Sequence, residues 1–360
     1  MAVPLFATSL EPYRDRIDER LTAVADSGRY ILGPEVEAFE REFAAHVGVR
    51  HCVGVGNGTD ALTIALRALG VQAGDEVVVP SFTFYATAEA VASMGARPVF
   101  CDVDPESFCV TEETVRAAIT PRTKAIVPVH LFGNVAPVPD LIELGLPVLE
   151  DAAQAAGATL EGRRAGALGQ AATFSFFPAK NLPCLGDGGA VTTDDDGVAA
   201  LARRLRFHGS EDKATFTEVG YNSRLDELQA AVLRTLLPEL DGWVSARRRV
   251  AADYEARGLG DLMALPRPAP GAGHAYHLFV ARHERAEELA AALGQSGIGA
   301  RGYYRRPAHQ QPAMAPFASG GPRLPGTDEA ARTNLALPMG TQLDEEAVAE
   351  VVEACAAELR

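Results

Sequence analysis

The stretch FSFFPAKNLPCLGDGGAV, residues 174–191, holds one long basic side chain in apolar company: from Ala165 to Gly186 the only charged residue is Lys180. Two readings compete there. A loop lysine can lay its methylene stem on apolar neighbours and keep its head in water. Alternatively, desolvation by Phe174, Phe176, Phe177 and Leu182 strips the ammonium of its proton and leaves an amine able to form a Schiff base. Lowering a lysine pKa from ~10.4 to roughly 7–8 takes about 4 kcal/mol of preference for the neutral form. Apolar walls supply part of that, and a bound cofactor would supply more.

Two other stretches carry chemistry of a complementary kind. LPVLEDAAQAAGA, residues 146–158, is an apolar strand ending in Glu150-Asp151. The carboxyl ends of parallel strands are where such sheets bind ligands, although an acid there also serves as an ordinary helix N-cap. VGVGNGTDALTIAL, residues 53–66, reads as strand, glycine-rich turn and helix N-terminus. Free backbone N–H groups and the positive end of the helix dipole make such a turn a phosphate cradle, with Gly56 and Gly58 permitting close approach and Thr59 adding a hydroxyl. The plain alternative is a helix capped by Asn57 or Thr59. A dinucleotide fingerprint is broken, because Thr59 stands where the third glycine belongs. An amine, a carboxylate and an anion cradle are what pyridoxal 5′-phosphate (PLP) requires for its aldehyde, its pyridine nitrogen and its phosphate.

The elements that must position these residues alternate along the first two thirds of the chain. Short β-branched runs (DEVVVPS, RPVFCDV, KAIVPVHLFG, LPVLEDAAQ, GAVTTDD) are separated by amphipathic helical segments such as EVEAFEREFAAHVG and TDALTIALRALG. That pattern predicts an α/β fold, a mostly parallel sheet sandwiched by helices. A long helical stretch, RLDELQAAVLRTLLPELDGWVSARRRVAADYEARG, is interrupted near Pro238, and the expected division into a large domain, 1–245, and a smaller α/β C-terminal domain, 246–360, falls within it. Residues 305–327, rich in proline, glycine and basic residues, read as a loop.

The 360 residues are 47% hydrophobic and 22% charged, the composition of a globular enzyme. A net charge of −15 argues against a nucleic-acid partner, which needs a clustered basic surface. The five cysteines are odd in number and scattered, without a Cys-x-x-Cys pair. A disulfide framework and a metal site are therefore not expected, and a reducing cytoplasm is. No signal peptide is read at the start, and no apolar stretch reaches membrane-spanning length.

In the order and spacing of nine blocks, among them YILGPEVEAFEREFAAHVG, GNGTDAL, GDEVVVPSFTFYATAEAV, EDAAQAAGA, FSFFPAKNLPCLGDGGAV and GYNSRLDELQAAVL, the chain resembles the DegT/DnrJ/EryC1/StrS sugar aminotransferases. The likeness covers almost its whole length. It implies a fold-type-I PLP enzyme in which Lys180 carries the cofactor's aldehyde, Asp151 pairs with the pyridine nitrogen and Gln154 approaches the ring hydroxyl. Phe84 would stack on the ring, a position at which a core aromatic is the alternative. Gly58, Thr59 and Ser175 would hold the phosphate, and Asn222 would reach the phosphate of a neighbouring subunit, which makes a homodimer part of the active site.

The same resemblance implies ping-pong transfer of an amino group from glutamate to a keto group of a nucleotide-linked sugar. Lys180, once freed, serves as general base and acid. The KNL…GDGGAV form around Lys180 is similar to members that aminate C3 of dTDP-linked keto-deoxysugars, whereas C4 members more often carry Glu in place of Asp187. His309 matches a substrate-binding histidine of the family. Tyr303, Tyr304, Arg305 and Arg306 depart from its His-Tyr-Pro run, and the arginines read as solvated loop charges more readily than as diphosphate ligands. The competing readings are a C4 aminotransferase, a PLP-dependent sugar dehydratase (expected to carry histidine at position 180) and a non-catalytic regulator with the same fold.

Overall fold

A computed structural model describes residues 2–318 and 323–359. Its centre is a layer of strands. His51–Val55, Gly189–Thr193, Ala171–Ser175 and Leu149–Asp151 form one four-stranded sheet in that order, and Arg97–Cys101, Glu76–Pro80 and Thr123–Ile126 form a three-stranded one. Parallel bridges Ile126–Val148 and Val129–Asp151 continue one into the other. Gly189–Thr193 is antiparallel to both of its neighbours, and the other strands share one direction. The β-branched runs form these strands because both faces are covered: Glu76–Pro80 is buried at every position.

Helices Pro34–Val47, Gly58–Ala68 and Asp196–Arg206 pack on this layer and bury their apolar stripes in two adjoining cores. The interruption at Pro238 is a 3₁₀ turn, Leu237–Glu239, between helices Glu227–Leu236 and Leu240–Ala256. The second of these runs unbroken across residue 245. C-terminal to it, antiparallel strands Phe279–Arg282 and Asn334–Leu337 pack with helices Ala286–Gln295 and Glu345–Leu359 around a third core. Residues at the opposite end of the chain join that core: Val3 and Ala7 are buried in it, and bridges Val3–Ile298 and Phe6–Met339 tie the N-terminal segment to the C-terminal unit.

The 305–327 segment differs from the loop expected. It contains 3₁₀ turns Ala308–Gln310 and Pro312–Met314, the short helix Ala315–Ala318 and the start of helix Pro325–Thr333; positions 319–322 lie outside the described residues. Pro325 opens its helix at the first position, where the missing N–H has no intrahelical partner to lose. Proline content thus marked a helix start as much as a loop.

Candidate active site

A cavity of about 940 Å³ opens beyond the carboxyl end of Leu149–Asp151, and its walls include Gly58, Thr59, Phe84, Asp151, Gln154, Ser175 and Lys180. Seven of the nine expected site residues therefore converge from four separate stretches of chain. Asn222 and His309 are not in its lining.

The glutamate–aspartate pair at the strand end divides by the alternation of a strand. Glu150 points away from the cavity into a cage of donors. Its Oε1 accepts from the backbone N–H groups of Leu168 and Gly169, and its Oε2 from the N–H of Gly166 and from His130 Nε2, all within 2.7–2.8 Å. The Ala136 N–H donates to His130 Nδ1 at 3.0 Å, so Nε2 carries the ring's proton. Asp151 faces the cavity, 5% exposed. Its Oδ2 accepts from the Thr87 hydroxyl at 2.9 Å and its Oδ1 from the Ala153 N–H at 3.2 Å. Burial raises its pKa, and these two hydrogen bonds, with Lys180 and His130, oppose that rise.

Lys180 follows a tight turn in which its N–H donates to the Phe177 carbonyl at 2.8 Å. The next residue, Asn181, is buried and donates to the Ala275 carbonyl at 3.0 Å, which pins the lysine loop to the segment entering the C-terminal unit. Burial lowers the Lys180 pKa to about 8, against the opposing pull of the Asp151 carboxylate. His277, which also lines the cavity, is held well below its usual pKa by burial and by the positive charges of Lys180 and Arg247. Its Nδ1 is buried without a hydrogen-bond partner among the described residues.

At the helix Gly58–Ala68 both readings of the glycine-rich turn hold together. Asn57 is the cap, its Oδ1 accepting from the Asp60 N–H at 2.8 Å. That bond serves the third residue of the helix and leaves the N–H groups of Gly58 and Thr59 without a protein acceptor among the described residues. A Cβ on Gly58 would lie 2.8 Å from Ser175 Cβ, so glycine here is a condition of bringing the helix start against the strand end that carries Ser175. Phe84 is 56% exposed, which removes the core-aromatic alternative and leaves its ring as a wall of the cavity, 6.1 Å from the ring of Tyr304.

The C-terminal segment contributes residues to which the sequence assigned no role. Tyr304 lines the cavity, and its hydroxyl accepts from Gln154 Nε2 at 3.0 Å. Arg301 and Arg306 lie at the cavity wall, whereas Arg305 turns back to donate to the carbonyls of Ala331 and Arg332 at the end of a helix. The reading as solvated loop charges is thus corrected for Arg305, which caps a helix, whereas Arg306 is exposed, as that reading expects, and borders the cavity. His309 faces Ser81, its Nδ1 bonded to that hydroxyl, and burial lowers its pKa. Asn222 is exposed and pairs with Phe207 in an isolated bridge. Thr87, the donor to Asp151, had a signal in the quoted SFTFYATAEAV block, one helical turn past Phe84, but nothing in the sequence says that it meets a residue 64 positions away.

Comparison with known proteins places this arrangement in a described group. The family model for the DegT/DnrJ/EryC1/StrS aminotransferase family matches residues 12–356. The chain is 46% identical to a dTDP-3-amino-3,4,6-trideoxy-alpha-D-glucose transaminase of Streptomyces venezuelae, with 96% of this chain and 92% of that one aligned. It is 44% identical to a pleiotropic regulatory protein of Geobacillus stearothermophilus over 98% and 97% of the two chains. Among solved structures it superposes on S. venezuelae DesV, in complex with a ketimine intermediate, with a TM-score of 0.96, 44% identity and coverage of 100% and 99%.

Proposed function

This chain belongs to the DegT/DnrJ/EryC1/StrS aminotransferase family, and from that premise we propose that it transfers an amino group from glutamate to the keto carbon of a nucleotide-linked deoxysugar, a dTDP-linked one aminated at C3. The observation that carries the reading is the convergence on one cavity of an amine with a lowered pKa, a buried carboxylate and two uncapped helix N–H groups. That donor set fits PLP: the N–H groups of Gly58 and Thr59 with the Ser175 hydroxyl would hold the phosphate, Asp151 the pyridine nitrogen, Phe84 a ring face, Gln154 the ring oxygen and Lys180 the aldehyde. When bound, PLP supplies a sink for the electron pair left behind when a proton leaves the donor's α carbon.

The remaining work falls to the chain's own side chains. A Lys180 Nζ with a pKa of about 8 is both a competent nucleophile and a proton carrier near neutral pH, able to take a proton from carbon and return it. The hydrogen bonds from Thr87 and the Ala153 N–H favour the charged form of Asp151 against the burial that raises its pKa, and a protonated ring nitrogen beside it would favour that form further. Arg301 and Arg306 at the wall offer guanidinium donors to the diphosphate of a nucleotide sugar. The division into domains 1–245 and 246–360, the pairing of two copies and the reach of Asn222 into a partner's site are part of the same proposal.

Two features favour C3 over C4: Asp187 at the cavity wall in place of glutamate, and a relative named for a 3-amino product. A regulatory reading finds support in the name of the Geobacillus relative, but a protein that only regulates has no need of Lys180, Asp151 and the helix start together in one cavity. The test is a substrate panel. Purified protein, PLP, glutamate and nucleotide-linked 3-keto and 4-keto sugars are incubated, and amino-sugar product is scored by mass spectrometry. Product from the 3-keto sugars is expected. Product from the 4-keto sugars alone overturns the position, and no product with any of them overturns the activity.

A further inference from the structure

Gln154 is held at both ends of its amide. Its Oε1 accepts from the backbone N–H of Phe132 at 2.8 Å, and because that partner can only donate, the orientation of the amide is settled. Its Nε2 donates to the Tyr304 hydroxyl at 3.0 Å. The two partners come from distant parts of the chain, yet they share a feature. Phe132 has φ 59 and Tyr304 φ 60, the left-handed backbone that a residue other than glycine adopts only at a cost. Their rings stack at 6.2 Å with planes 3° apart, and Phe82 meets Tyr304 edge-on at 6.0 Å. Gly133 permits the Phe132 turn to lie against the segment entering the C-terminal unit: φ is +99 there, and a Cβ would lie 2.8 Å from the Tyr276 nitrogen. Two residues in left-handed backbone thus meet at one side-chain amide, each supplying one of its hydrogen-bond partners.

We propose that Tyr304 is a positioning residue for Gln154, its hydroxyl locking the amide so that the remaining Nε2–H is directed at the ring oxygen of the cofactor. The inference rests on the PLP reading and deepens it. The C-terminal segment then has a role at the cofactor as well as at the cavity mouth. Burial pushes the Tyr304 phenol above its usual pKa, so the oxygen that accepts from Gln154 Nε2 belongs to a neutral hydroxyl near neutral pH.

A double-mutant cycle tests this with Tyr304→Phe, which keeps the stacked ring, and Gln154→Met, which keeps the volume without the amide. Two quantities are read for wild type, each single variant and the double variant: the Kd for PLP by absorbance titration, and the apparent pKa of the visible band of the loaded protein. A donor on the ring oxygen competes with the cofactor's internal N–H···O hydrogen bond, so losing it raises that pKa. Tyr304→Phe is expected to raise the Kd by about 3- to 30-fold and the band pKa by about half a unit or more, and to change neither in the Gln154→Met background. Thermal unfolding of the apo-protein checks that each variant folds. Equal effects of Tyr304→Phe in both backgrounds, or a lowered melting temperature with Kd and band unchanged, overturn the proposal. If Tyr304→Phe does not fold, Gln154→Met alone decides: an unchanged band pKa overturns it. A wild-type protein that takes up no PLP overturns the cofactor reading, and this inference with it.

Discussion

Lys180 sits between opposing influences: burial drives its ammonium toward the neutral amine, and the Asp151 carboxylate resists. With a pKa of about 8, roughly one lysine in ten is unprotonated at pH 7, against about one in three thousand for an ordinary side chain. Because only the amine attacks an aldehyde, the rate of PLP uptake by the apo-protein should rise about tenfold per pH unit below 8 and flatten above it, a profile that stopped-flow absorbance measures. A rate still climbing through pH 9 would mean that the amine is not desolvated. Asp151 depends on its donors in the opposite sense. Thr87→Val removes a bond that holds its pKa down, so the carboxylate protonates more readily and grips a ring nitrogen less well. A loss of about 1.5–3 kcal/mol, roughly ten- to a hundredfold in the Kd for PLP by titration, is expected.

The elements hold these groups through backbone donors more than through packing alone. Glu150, one residue from Asp151, takes four hydrogen bonds and so fixes the strand end. Glu150→Gln places an amide among donors that need an acceptor. About 2–4 kcal/mol of stability should be lost, read as a lowered denaturation midpoint in urea. Gly58→Ala acts differently, because the added methyl meets Ser175 at the helix start. PLP affinity should fall at least about tenfold by the same absorbance titration, and the apo-protein's melting temperature should fall with it, because the helix start must shift off the strand end. These elements were legible in the sequence where chemistry and periodicity coincide: Lys180 alone in an apolar run, Asp151 at the end of a β-branched run, Gly58-Thr59 between strand and helix. The partners of those residues were not. Thr87 meets Asp151 across 64 positions, and Tyr304 meets Gln154 across 150. No local period encodes such pairings. Left-handed backbone at Phe132 and Tyr304 likewise follows from tertiary docking, against the preference of aromatic residues. The division of Glu150 from Asp151 needed the sheet's own alternation to be read.

At the scale of the whole molecule, Asn222 is exposed and outside the cavity lining, while Tyr30, Ile31, Phe177, Leu185 and Val219 stand exposed as large apolar side chains. A second copy of the chain is the proposed occupant, with Asn222 serving the partner's phosphate. Lys180→Ala and Asn222→Ala should each be inactive as homodimers. Mixed from the unfolded state, they should regain up to about a quarter of wild-type activity, since half of the dimers are mixed and one site of each is intact. No recovery on mixing, with dimers confirmed by light scattering, would place Asn222 in its own chain's site or in none. The N-terminal segment and the C-terminal unit close around one cavity, and everything proposed for it converges on the nitrogen of Lys180. The most direct measurement is therefore borohydride reduction of the PLP-loaded protein, followed by proteolysis and peptide mass mapping. A pyridoxyl phosphate adduct should appear on the peptide containing Lys180 and be missing from Lys180→Ala. An adduct on another lysine, or none on any, would contradict the assignment.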